Sequence, residues 1–180
     1  MTMPEKARTI KVNRAPVLTL WAAVVAERLG FDRDEALTLG RAVAGLNAYS
    51  KGVRLGLLVP SVPGSVQERK KKLKKGEALN VDLLGRAVPV TATLDGVRAL
   101  AKEEPISPES VARYLGGKFG DALADVRAAM ERLAGSLPPD RLAGEAFRLY
   151  EGFRPEVPPG VKGWGAQGTL DIARILALAG

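Results

Sequence analysis

Between Val17 and Leu29 the apolar residues Val17, Leu20, Trp21, Val24, Val25 and Leu29 recur at intervals of three and four. A helix is the regular conformation that gathers such positions onto one side, so this stretch commits the chain to a helix with a buried stripe. Pro16 suits the first helical position, where its missing N–H costs no intrahelical bond. Gly30 stops the helix, since a glycine readily takes the positive φ that closes one. Asp32 then caps a second helix, with Asp34 and Glu35 in a first turn whose dipole favours anions. Its apolar positions are Ala36, Leu39, Val43 and Leu46, and it fades before Gly52.

Further along, residues 53–64 are apolar but broken by Gly56, Pro60 and Pro63, which reads as a short extended piece and a turn. Val88 to Thr93 is rich in β-branched residues and is followed by the turn signal Asp95-Gly96, so one short strand is expected there. Pro89 would confine it to a sheet edge, because proline cannot donate to a ladder. Ser107-Pro108-Glu109 starts a helix over 108–115. Helices at 119–134 and 140–152 follow, carrying Leu123, Val126, Met130 and Leu133, then Leu142, Ala146, Leu149 and Phe153. Residues 155–168 read as loop, after which Thr169 caps a final helix to Ala179. Tyr114, Phe147, Tyr150 and Phe153 fall at core spacing.

The 180 residues contain neither cysteine nor histidine. That excludes a disulfide framework, a Cys-based zinc site, a Ser-His-Asp triad and a Cys-His pair. No EF-hand or phosphate-loop spacing is present, so no metal and no cofactor is expected. Residues 1–11 are polar, with no apolar core of a signal peptide. The longest apolar run, Ala15 to Ala26, is well short of the ~20 residues a membrane helix needs. The expectation is a cytoplasmic, non-enzymatic chain.

The net charge of +7 is unevenly placed. Residues 1–80 hold 15 Lys and Arg against 7 Asp and Glu, whereas residues 81–180 hold 12 against 13. The densest run, Arg69-Lys70-Lys71-Lys72-Leu73-Lys74-Lys75, places six cations in seven positions. Such a run serves either as a solvated linker or as an arm that neutralises phosphates and releases their counterions. It holds no aromatic residue, so base stacking is not expected of it.

Residues 25–42 and 111–128 agree at eight of eighteen positions without a gap. Val25-Ala26, Leu29-Gly30, Ala36-Leu37 and Arg41-Ala42 align with Val111-Ala112, Leu115-Gly116, Ala122-Leu123 and Arg127-Ala128. This reads as a repeated helical hairpin. The shared pattern resembles the helix-turn-helix of DNA-binding domains, over about twenty residues per copy. The resemblance makes Ala26 the small residue at the helix crossing, Gly30 the turn, and Val25, Leu29, Phe31, Ala36 and Leu39 the locking positions. In the second copy Ala112 and Gly116 take those parts, though Gly117 replaces an apolar residue. A second helix used this way would present Arg33, Asp34, Thr38 and Arg41 to the major groove, with Arg33 and Arg41 suited to guanine edges or phosphates.

The expected fold is therefore mainly α: two helical modules with helix-turn-helix-like hairpins and at most one small β element. The expected division is a helical module at 1–66, a basic linker at 67–80 and a second helical module at 81–180. The expected partner is double-stranded DNA, bound through Arg33, Thr38, Arg41, Lys51, Arg54, Arg69, Lys70, Lys71, Lys72, Lys74 and Lys75, with a homodimer in prospect. The alternative is a non-enzymatic interaction or scaffold module in which the lysines serve solubility. An enzyme acting on an anionic substrate through carboxylates and Lys or Arg has only the charge in its favour.

Overall fold

The two ends of the chain are joined by a strand pair. β1 (Thr9–Asn13) runs antiparallel to β6 (Gln167–Asp171), with Val12 opposite Gly168. This is a computed structural model, and it describes residues 9–49, 78–101, 103–157 and 167–180. The final helix accordingly starts later than expected. Thr169 sits inside β6, and the Asp171 side chain caps α6 (Ile172–Leu178) by accepting from the Ala173 N–H.

α1 (Arg14–Leu29) is buried at every residue from Pro16 to Ala26. The expected single buried face is thus a helix covered on all sides, because its remaining positions are filled by small residues such as Ala22, Ala23 and Ala26 that neighbours can approach closely. Thr19 tolerates burial by donating its hydroxyl to the Ala15 carbonyl one turn back. The helix ends at Gly30, which has φ 121°, with the Gly30 N–H on the Glu27 carbonyl and the Phe31 N–H on the Ala26 carbonyl. That nested pair satisfies two of the last free carbonyls of the helix.

α2 (Arg33–Tyr49) begins with a reciprocal cap. Asp32 Oδ1 accepts from the Glu35 N–H, and Glu35 Oε1 accepts from the Asp32 N–H. The two helices approach closely at Gly40. A Cβ on Gly40 would lie 2.3 Å from the Thr19 carbonyl oxygen and 3.0 Å from the Ala23 nitrogen. Backbone meets backbone at this crossing.

The mainly-α expectation is overturned by a four-stranded antiparallel sheet in the order β2-β3-β4-β5, made of β2 (Ala78–Leu83), β3 (Arg86–Thr93), β4 (Gly96–Ala101) and β5 (Glu104–Pro105). With the β1–β6 pair this makes an α+β fold. The overlooked signal is the strict alternation Leu79-Asn80-Val81-Asp82-Leu83, which has the period of a strand. Leu84 and Gly85 close the first hairpin with φ of 50° and 78°. Positive φ at both turn residues matches the natural twist of paired strands. β3 is central, so Pro89 does not mark an edge. Pairing of β3 with β4 ends at Val90–Ala99, and Leu100 turns to pair with Pro105 instead. Pro89 lies just past the end of that pairing, where its lack of an N–H costs no ladder bond to β4.

In the second half, α3 (Pro108–Phe119) is capped by Ser107, whose hydroxyl accepts from the Ser110 N–H. It runs straight through Gly116 and Gly117 and ends at Gly120, which has φ 55°. A short 3-10 turn, Gly120–Ala122, leads into α4 (Leu123–Gly135), and α5 (Pro139–Phe153) follows. The expected second hairpin therefore does not turn at Gly116, and the two similar windows have different backbones. The first changes direction at its glycine, while the second continues through it.

Both halves of the chain share one core cluster. Trp21 is fully buried, donates its indole N–H to the Ala146 carbonyl at 2.8 Å, and meets Phe153 edge-on at 5.4 Å. Arg14 Nε donates to the Pro155 carbonyl. Side chains from either side of the expected 1–66 and 81–180 division thus interdigitate around α1.

Candidate functional site

The cap that starts α2 also ties it to the sheet. Glu35 is 2% exposed, and its Oε2 accepts from the Val97 N–H at 2.9 Å. One turn on, Thr38 is wholly buried. It donates its hydroxyl to the Glu35 carbonyl and accepts from the Ala99 N–H at 3.0 Å. These side-chain oxygens take two β4 N–H groups at the point where α2 crosses the strand. The face of α2 expected to meet a DNA groove is therefore split. Thr38 faces the sheet and has nothing to offer a base, which corrects its assignment as a reader.

Arg33 and Arg41 remain exposed, but they do not act as a pair. Arg33 Nε lies 3.4 Å from Glu27 Oε2, and the same carboxylate oxygen accepts from Arg127, which also reaches Glu131. Asp32 and Asp34 stand exposed beside it. Arg33 thus belongs to a patch richer in carboxylates than in cations, and its own exposed ion pair contributes little. Arg41 sits over the Tyr114 ring of α3, 5.1 Å from its centroid, with Lys118 Nζ 6.0 Å from the same centroid. Burial pushes the Tyr114 hydroxyl above its usual pKa, and the Arg41 charge pulls partly the other way. Tyr114, read from spacing as core packing, is half-buried and faces a cation 73 positions away in sequence. Only the tertiary fold brings the two together.

Arg41 and Tyr114 border a groove of about 700 Å³ between α2, the end of the β3–β4 pairing and α3. Its walls are mostly apolar: Ala42, Leu46, Leu100, Ile106 and Val111. Ser110 adds a hydroxyl, whose proton is already donated to the Ser107 carbonyl. Among the described residues Arg41 is the one charged residue that lines it. Among the described residues no carboxylate lies within ion-pair distance of Arg41.

Lys51, Arg54, Arg69, Lys70, Lys71, Lys72, Lys74 and Lys75 lie outside the described residues. The described residues hold 15 Lys and Arg against 17 Asp and Glu, a net −2. Residues 50–77 hold 8 Lys and Arg against 2 Asp and Glu, a net +6 in 28 positions. The remainder of the positive excess falls in residues 1–8, 102 and 158–166. Among the described residues there is no cluster of carboxylates suited to a metal ion, and no helix is long and apolar enough to cross a membrane.

No family model, curated protein or solved structure matches the chain.

Proposed function

We propose that the protein binds double-stranded DNA through its phosphate backbone and without reading base sequence. The single observation that carries this is the distribution of charge along the sequence: residues 50–77 hold 8 Lys and Arg against 2 Asp and Glu, a net +6, whereas residues 81–180 hold 12 against 13. Cations gathered in one segment displace condensed counterions from a duplex, and this gain does not depend on which bases lie beneath. The geometry of α2 argues against base reading. Thr38 is buried, Arg33 shares Glu27 with Arg127, and Arg41 lies over Tyr114 beside the groove.

The test is fluorescence anisotropy with labelled duplexes of unrelated sequence across a salt series. The parent is expected to bind all duplexes alike, with log affinity falling linearly in log salt by about 0.9 per phosphate contact. Replacing Lys70, Lys71, Lys72, Lys74 and Lys75 together by Gln is expected to flatten that slope and weaken every duplex equally. Arg41→Gln is expected to leave sequence preference and affinity almost unchanged. Absence of binding by the parent at low salt, where the basic segment attracts most strongly, overturns the reading. A preferred duplex whose advantage vanishes in Arg41→Gln would restore the base-reading helix.

A further inference from the structure

The groove beside Arg41 has the composition of a small-molecule site. Such sites are concave, lined largely by apolar side chains, and hold a few polar groups that fix orientation. Its volume of about 700 Å³ is within the usual ~300–1,000 Å³. Leu46, Leu100, Ile106 and Val111 form the apolar wall, and among the described residues Arg41 is its one charge. A guanidinium that, among the described residues, has no carboxylate partner and borders an apolar groove lined by no acid is electrostatically complementary to one anionic group and hostile to a cation. The Tyr114 ring keeps that charge beside the groove by attracting it to the ring face. The planar fork of arginine donors matches a carboxylate in two-point fashion, which a lone ammonium does not. One cation suits one negative charge, so a di- or triphosphate would leave charge unanswered.

We propose that this groove binds an amphiphilic monocarboxylate, an acyl or aryl acid whose carboxylate sits on Arg41 and whose apolar body lies along Leu46, Leu100, Ile106 and Val111. Tyr114, which also lines the groove, carries a hydroxyl able to add a donor. Ser110, its proton committed to Ser107, can only accept and so does not compete for the carboxylate. This site is separate from the basic segment, and its occupation does not require DNA binding.

Isothermal titration calorimetry on the full chain tests it with decanoate, decylammonium and acetate as probes. Decanoate is expected to bind at one site. Decylammonium, with the same tail and opposite charge, is expected to bind at least tenfold more weakly, and acetate not at all. Arg41→Gln is expected to weaken decanoate at least tenfold while decylammonium gains. Gly45→Leu adds a side chain to a groove-lining position where a Cβ meets nothing within 4 Å. It is expected to fold normally and to weaken decanoate. The quintuple Lys→Gln variant in residues 70–75 is expected to bind decanoate as the parent does. Three results overturn the proposal. One is the absence of decanoate binding, and another is equal affinity for the two charged tails. The third is decanoate binding lost in the Lys→Gln variant but kept in Arg41→Gln, which would mark attraction to the basic segment. None of these depends on whether the parent binds a duplex.

Discussion

Replacing Gly40 with Ala probes the contact on which the arrangement of α1 and α2 rests. The added Cβ would lie 2.3 Å from the Thr19 carbonyl oxygen and 3.0 Å from the Ala23 nitrogen. Both are backbone atoms of a helix buried on all sides, so no flexible side chain can swing away. Ordinary contact lies near ~3.5–4.0 Å, so the helices must part by about 1 Å, disturbing the packing of Leu39 and Val43 against α1. Overpacking of this kind costs about 1–3 kcal/mol. Alanine returns up to ~1 kcal/mol through its better helix propensity. The net expectation is a loss of about 1–2 kcal/mol, or a melting temperature lower by ~2–8 °C in a chain of this size. Gly144 in α5 and Gly116 in α3 are the controls, since a Cβ at either meets nothing within 4 Å. There the propensity gain is unopposed, so Gly144→Ala and Gly116→Ala should each stabilise by up to ~1 kcal/mol. Thermal melts by circular dichroism, backed by urea midpoints at constant slope, read all three. A Gly40→Ala protein that melts at or above the parent refutes the close crossing. A Gly116→Ala protein that melts clearly lower would mean that Gly116 turns the chain and that α3 does not run through it.

Thr38→Val should cost about 1–3 kcal/mol by urea denaturation, because it leaves the buried Ala99 N–H without an acceptor, whereas Thr38→Ser should recover most of the loss. Gly30→Val should lower the melting temperature by the equivalent of ~1–3 kcal/mol, since a β-branched residue is strained at φ 121°. Burial raises the Tyr150 pKa, with Arg154 and Arg14 opposing. The folded state thus favours the protonated phenol, and this contribution is complete below the unfolded value near ~10 and is lost as pH rises through the folded one. Tyr150→Phe, which gives up only a 3.4 Å hydrogen bond to the Arg14 carbonyl, should flatten the alkaline limb of stability against pH. An alkaline limb identical to the parent's would refute that assignment.

Local signals in the sequence located the helices. The three-and-four spacing from Val17 to Leu29, the glycine at 30, the Asp32 cap and the Ser107-Pro108 start all appear where their chemistry requires. Each acts within one or two turns, so no distant partner is needed to read it. The charge separation that supports the DNA proposal is equally a property of the sequence, since counting needs no fold. Similarity between windows was a poorer guide. Gly30 closes α1 because Phe31 can bury behind it, whereas Gly116, followed by Gly117 and Lys118, has no such anchor and stays helical.

What the tertiary structure decided was which faces compete for burial. α2 might have shown Thr38 to solvent, but the β4 N–H groups needed acceptors, and Thr38 and Glu35 supplied them from 61 and 62 positions away. β1 has too few apolar residues to stand alone, and it becomes a strand only because β6 arrives beside it from the far end of the chain. The groove at Arg41 is likewise assembled from residues of α2, the sheet and α3; Arg41 was picked out by local pattern as a binding residue, but its apolar neighbours in the groove carry no local mark. Periodicity and caps are encoded within a few residues. Hydrogen-bond partners across a core are chosen only when the whole chain has packed, because an unpaired buried N–H costs more than any local preference can return.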